Sequence, residues 1–249
     1  MQHAISIVRN TARSRAASAD HDLRMTLQPV RDMHQGHVLF HLATLTNGDS
    51  QTADPLCWGQ FPLDAAIELA CASLSLAAEQ LAGNSTMRLC LSIPAYLQMS
   101  VKWVDRLQRI IAADPQMGPR FIFAIPEKEA ALNRLQLQRY MRQLQASGAC
   151  FALTDFGSGA LAIKHLPQLF FDLAIIDDSF AANLAESTDQ QLVVQALAGL
   201  AEQFEMLSVA NGPGYAACHS LLADLGIDCV ATTRADLVSL GQTGLALTA

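Results

Sequence analysis

Phe151-Ala152-Leu153-Thr154-Asp155-Phe156-Gly157-Ser158-Gly159 is the stretch whose reading decides the fold. A short apolar strand runs straight into an acidic residue, and a glycine-rich turn then feeds a helix-like segment at Ala160–Leu166. The next strand follows within Asp172–Asp177. An acid at the carboxyl end of a strand, with a glycine turn behind it, is where an α/β barrel places its chemistry.

Working outward, the same alternation continues in both directions. Upstream, Met25–Val30 and His37–Leu45 read as strands joined by Arg31-Asp32-Met33-His34-Gln35-Gly36, too short a connector for a crossover helix, so this pair is expected to be antiparallel. Helix Leu63–Leu81 then leads to strand Met87–Ile93, helix Val101–Ala113 to strand Phe121–Ile125, and helix Ala130–Ser147 to strand Phe151–Thr154, with Gly148 as the C-cap. Downstream lie strand Leu173–Ile176, helix Asp189–Phe204 with a capping box at Ser187 and Gln190, strand Met206–Ala210, helix Tyr215–Leu225, strand Cys229–Thr232 and a terminal helix near Asp236–Leu247. Apolar strands separated by helices call for a parallel sheet covered on both faces. The weakest region is Asn47–Pro62, which reads as a loop. Residues 1–22 read as a connector and residues 23–249 as one domain.

Composition bounds the function. The 249 residues fit one large domain, and the chain is 51% hydrophobic and 16% charged, so a large core is easily supplied. Mean hydropathy is +0.22, yet no apolar run reaches the roughly 18 residues of a membrane span. Leu63–Leu81 comes nearest, interrupted by Asp64, Glu68 and Glu79, and is expected to be a buried helix. The net charge of −7 argues against nucleic-acid binding, which relies on clustered Lys and Arg. The six cysteines include no CxxC pair and read as reduced thiols of a cytoplasmic protein. Arg9, Arg13 and Arg15, with no acid before Asp20, superficially resemble a transit peptide, but Ile5, Val8, Ala12 and Ala16 fall at helical spacing.

Several landmarks, in order, resemble the EAL domain, the bacterial cyclic di-GMP phosphodiesterase family. They are Leu27-Gln28-Pro29-Val30, the strand from Gly36 to Leu45, Phe121–Glu127, the Asp-Phe-Gly-Ser-Gly loop from Asp155, Ile175-Ile176-Asp177-Asp178-Ser179-Phe180, and Leu225-Gly226-Ile227-Asp228. The resemblance implies a modified TIM (β/α)8 barrel of α/β class with an antiparallel first strand pair. Active members resemble two-metal phosphodiesterases, in which paired divalent ions activate water and clamp phosphate.

Carried onto this chain, the resemblance puts Leu42 where the name-giving Glu stands, within Leu42-Ala43-Thr44. Ser92 takes the place of a metal-binding Asn, Ala124 that of a further Glu, and Thr154 that of the first Asp of the signature loop, whose second Asp is Asp155. Ile175 stands for the lysine near the water, Asn211 for a Glu, and Ala231 for a Gln. Hard ions need oxygen donors, so the resemblance implies a catalytically inactive domain with no bound metal and no cofactor. A phosphate-facing Arg falls on Thr46 and a guanine-facing Glu on Gly214. Gln28, Pro29, Asp155, Gly157, Ser158, Gly159 and Asp178 remain as candidates for holding cyclic di-GMP without Mg²⁺, the glycine loop offering backbone N–H groups to a phosphate.

Other readings stand beside these. Asp155 has an alternative as the cap of its own glycine turn. His34, His37 and His41 suggest zinc, but if Leu42 points into the barrel, His37 and His41 face away from it. His165 and His219 lack a serine–carboxylate partner arrangement, and Gly157-Ser158-Gly159 is not a nucleophile elbow. Arg134, Arg139 and Arg142 read as a solvated helix face or a docking surface, and Asn211–Gly214 as a turn that reshapes the cleft mouth. The expected function is regulatory, through protein partners in bacterial cyclic di-GMP or motility signalling, with a homodimer as a further expectation. The alternatives are a non-hydrolysing cyclic di-GMP receptor and, less favoured, an active phosphodiesterase.

Overall fold

The computed structural model describes residues 23–47, 54–55 and 57–231. The expected N-terminal connector and the terminal helix near Asp236–Leu247 lie outside the described residues. Strand β1 (Leu23–Asp32) turns into β2 (Val38–Asn47) in antiparallel register, with Gln28 opposite Leu42. The turn is built by Asp32, whose Oδ1 accepts from the backbone N–H groups of His34 (2.8 Å) and Gln35 (2.6 Å).

The chain continues through β3 (Asp54–Pro55), α1 (Leu63–Gly83), β4 (Leu89–Ser92), α2 (Ala95–Gln98), α3 (Val101–Ala113), β5 (Phe121–Pro126), α4 (Glu127–Leu132), α5 (Arg134–Gln145), β6 (Cys150–Phe156), β7 (Leu173–Ile176), α6 (Thr188–Gln203), β8 (Leu207–Ala210), α7 (Pro213–Ala216), α8 (His219–Asp224) and β9 (Cys229–Ala231). From β2 through β4 and on to β9 the barrel strands pair in parallel. β1 closes the ring, antiparallel to β2 on one side and to β9 on the other, while β3 adds a short edge to β2. The result is a closed eight-stranded α/β barrel with the expected antiparallel first pair.

Strand alternation sorts the core into two layers. Phe40, Cys90, Ile122, Ala124, Ala152, Leu173, Ile175 and Val209 fill the interior. Leu89, Leu91, Phe121, Phe123, Phe151 and Ile176 point out against the helices. Helix α1 is long and apolar enough to cross a membrane, with a mean hydropathy of 1.3, but its Ala66, Ala70, Leu74, Ala77 and Leu81 are buried in this outer layer. At the base, Asp172 accepts from Phe151 N–H (2.7 Å), and Asp228 accepts from Ser208 N–H and Oγ–H (2.8 and 2.7 Å).

The structure corrects three helices. The segment expected as Ala130–Ser147 begins at Glu127 and breaks at Asn133, whose side-chain Nδ2 and backbone N–H both donate to the Glu129 carbonyl. A short amide that bonds local backbone competes with helix continuation. The segment at Ala160–Leu166 is a 3₁₀ turn over Ile163–Gln168, with Pro167 lacking a donor. The expected Tyr215–Leu225 helix is the pair α7 and α8. Part of the Asn47–Pro62 loop is ordered as β3 and a 3₁₀ turn at Trp58–Gln60.

Trp103 of α3 is fully buried edge-on to Phe123, ring centroids 5.0 Å apart, and its indole Nε1–H has no hydrogen-bond partner among the described residues. Trp103→Ala is expected to cost about 3–5 kcal/mol in urea unfolding. Trp103→Phe should cost clearly less, because it also removes an unpaired buried donor.

Candidate functional site

The parallel strands all aim their carboxyl ends at one mouth, where a cleft of about 560 Å³ opens. Leu42, Ser92, Ala124, Thr154, Asp155, Ile175 and Asn211, from five different strands and the residue just past a sixth, converge on it. Ala231 does not line the cleft; it is buried in the barrel interior opposite Val30. Gln28 and Asp178 line the cleft. Pro29 is buried on the opposite alternation of β1, and Gly157, Ser158 and Gly159 lie outside the lining.

The glycine loop is held by an acid that sequence reasoning took only as the end of a landmark. Glu127, 3% exposed at the start of α4, accepts from Gly157 N–H through Oε2 (2.9 Å) and from Leu161 N–H through Oε1 (2.7 Å). Gly157 has φ +96°, and a Cβ there would come within 2.7 Å of Leu197 Cδ1 and 2.9 Å of Phe180 Cε2. Ser158 N–H donates to the Asp155 carbonyl (3.1 Å). Two amides expected to cradle a phosphate are therefore occupied within the protein, and Glu127, not Asp155, caps the turn. The signal was present in sequence as an acid directly after an apolar strand.

Asp155 sits at φ +55°, in the left-handed region. Its carboxyl is raised above its ordinary 3.8, first by burial and then by Asp177, Asp178 and Glu127. Asp177 lines the cleft beside Asp178, and its Oδ1 accepts from Ser179 N–H (2.9 Å). Tyr215 O–H donates to the Asp177 carbonyl (2.8 Å), and burial raises the Tyr215 phenol, with Asp177 and Asp178 adding to it. Of the segment expected as a turn, Asn211, Gly212 and Pro213 line the cleft, while Pro213 and Gly214 open helix α7. Gly212, at φ +146°, approaches so closely that a Cβ would lie 3.0 Å from Asp178 Cβ.

A side groove of about 200 Å³ shares Thr44 and Ser92 with the cleft and adds Trp58, Ile93 and Glu129. Glu129 accepts from Ala95 N–H (2.6 Å), and its carboxyl is raised mainly by burial. No Lys or Arg lines either cavity among the described residues.

The remaining candidates lie elsewhere. His41 is half-buried on the outer face of β2, its imidazole pKa lowered by burial and Arg31, while His34 and His37 are exposed. Among the described residues, no group of three or more His, Cys, Asp or Glu side chains is placed to hold an ion. Arg134 contacts His165, Arg142 lies over the Phe170 ring at 5.7 Å, and Arg139 is exposed, so this face is tied down in part. The Cys90 and Cys229 thiols are buried in the barrel, and burial pushes both up to about 12.

Residues 11–231 match the EAL domain family. The chain belongs to that family. The match begins within the stretch read as a connector. Cyclic di-GMP phosphodiesterase PdeF of Escherichia coli (strain K12) is 31% identical over 109 residues, which are 44% of this chain and 15% of that protein's length. The EAL domain of Xanthomonas citri FimX, in complex with cyclic di-GMP, superposes with a TM-score of 0.73 at 18% identity, covering 84% of this chain and 85% of that one. The FimX EAL domain of Pseudomonas aeruginosa, bound to cyclic di-GMP, gives 0.71 at 19% identity, covering 84% and 88%. At these identities the likeness to the solved domains is one of fold.

Two outcomes follow from the site. Glu127→Ala leaves two loop amides without their acceptor and is expected to cost roughly 3 kcal/mol in urea unfolding, with Glu127→Gln intermediate. For Asp155, a folded pKa above 3.8 means that ionisation penalises the folded state, a penalty absent below 3.8 and complete once pH exceeds the folded value. Asp155→Asn should therefore raise the melting temperature at pH 7, and the gain should shrink as pH falls toward 3.8.

Proposed function

We propose that this EAL domain is a regulatory domain of bacterial cyclic di-GMP or motility signalling that does not hydrolyse cyclic di-GMP and acts by contact with a protein partner. The observation that carries this reading is the cleft lining. At the positions where the family resemblance places ligands and catalytic groups, the side chains meeting in the cleft are Leu42, Ser92, Ala124, Thr154, Ile175 and Asn211, with Asp155 the one carboxylate.

A pair of Mg²⁺ ions would bring four positive charges and a strong demand for oxygen donors. Leu, Ala and Ile side chains supply none, and an ion against them loses hydration without replacement. The residues present do not fit the ion pair. Where such ions are held, they generate the attacking hydroxide; this cleft's own groups offer the carboxylates of Asp155, Asp177 and Asp178, not grouped to hold an ion, and no Lys or Arg among the described residues.

Exposed Leu132 and Leu135, at 74% and 65%, give the outer helices apolar area for contact. A cytoplasmic setting belongs to the same reading, in keeping with unpaired buried thiols at Cys90 and Cys229.

The receptor reading has one observation in its favour: similar barrels have been solved with cyclic di-GMP. Against it stand Asp155, Asp177 and Asp178, which line the cleft with no basic residue among the described residues to meet two phosphates.

Purified protein incubated with cyclic di-GMP and Mg²⁺ or Mn²⁺ is expected to yield no linear pGpG by chromatography. Metal-dependent product would sink the proposal. Calorimetric titration without metal is expected to give no heat of binding, whereas saturable binding would favour the receptor.

A further inference from the structure

The cleft combines two features that a nucleotide site without metal would not choose together. Its floor and walls include the apolar side chains of Leu42, Ala124 and Ile175, and its rim carries Asp155, Asp177 and Asp178. Asp177 is committed to Ser179 N–H. Asp155 and Asp178 are exposed, and among the described residues their carboxylates meet no hydrogen-bond donor or cation and no Lys or Arg lines the cavity. Like charges in a partly desolvated cleft repel one another, and a phosphodiester would add to that repulsion.

A long basic side chain answers both features at once. Its methylene stem covers apolar surface while its charged head reaches the polar rim. A guanidinium also presents several donors in a planar fork suited to two carboxylates. The volume of about 560 Å³ leaves room for the backbone that carries such a side chain.

We propose that this cleft receives an arginine or lysine side chain presented by a segment of a partner protein, inserted head-first between Asp155 and Asp178. This rests on the reading that the domain works through a protein partner, and it names the chemistry of that partner.

The test uses the full chain and a short synthetic peptide with a central pair of arginines, titrated at low ionic strength. Two double variants carry the same net charge: Asp155→Asn with Asp178→Asn in the cleft, and Asp105→Asn with Glu202→Gln on exposed turns of α3 and α6. The cleft pair is expected to weaken peptide binding about tenfold, and the surface pair by about twofold at most. In the unmodified protein, the peptide should shift amide resonances of Thr154, Ile176 and Gly212 rather than those of α3, which keeps the test valid if a variant folds poorly.

Equal weakening by both pairs, no binding, or shifts confined to the outer helices would overturn the proposal. Tighter binding of spermine than of the peptide would also overturn it, by assigning the cleft to a free polyamine. Production of linear pGpG would instead remove the reading on which it rests, so the two failures are distinct.

Discussion

Barrel closure depends on one strand that runs against all the others. β1 uses both edges, bonding β2 through a long antiparallel ladder and β9 through a short one. A closed ring leaves no barrel strand unpaired in water, so interior and exterior side chains are fixed by alternation alone. Because β1 returns through the tight turn at Asp32, its connection lies at the opposite end from the cleft. Gln28 and Leu42, paired across that ladder, thus both reach the mouth.

Around the rest of the rim, backbone contacts hold two of the acids, Glu127 and Asp177, in place. Glu127 is spent on loop amides, Asp177 on its own turn and, through its carbonyl, on Tyr215. Burial, and after it the repulsion of neighbouring carboxylates, raises Asp155, while the ties of Glu127 and Asp177 are internal to the protein. The rim is preformed and negative, whatever enters it. That property separates shape, which the EAL domain shares with its solved relatives, from chemistry, which depends on which side chains stand at each strand end.

The sequence made the strands legible because their apolar runs are short, β-branched or aromatic, and bounded by turns; Leu173–Ile176 was read to the residue. Val101–Ala113 was equally clear, since Ser100 caps it by accepting from Trp103 N–H and its burial follows one face. The break at Asn133 was not legible, because a single side-chain bond to Glu129 decides it within an otherwise helical pattern. Convergence of seven positions on one cleft followed from strand order. The role of Glu127 did not, because its partner Gly157 is 30 residues away and only the folded loop brings them together. Ala231 faced the interior as strand parity requires, but parity does not specify depth along the barrel.

The backbone at Asp155 carries a constraint independent of any ligand. A left-handed torsion at φ +55° is accessible to Gly, Asn and Asp and strained for branched or bulky residues. Stereochemistry alone thus restricts substitution at this rim position to a few short residues, one of which is acidic. A carboxylate standing there is as readily accounted for by torsional tolerance as by a vestige of metal chemistry, so its presence in a sequence is weak evidence for hydrolysis.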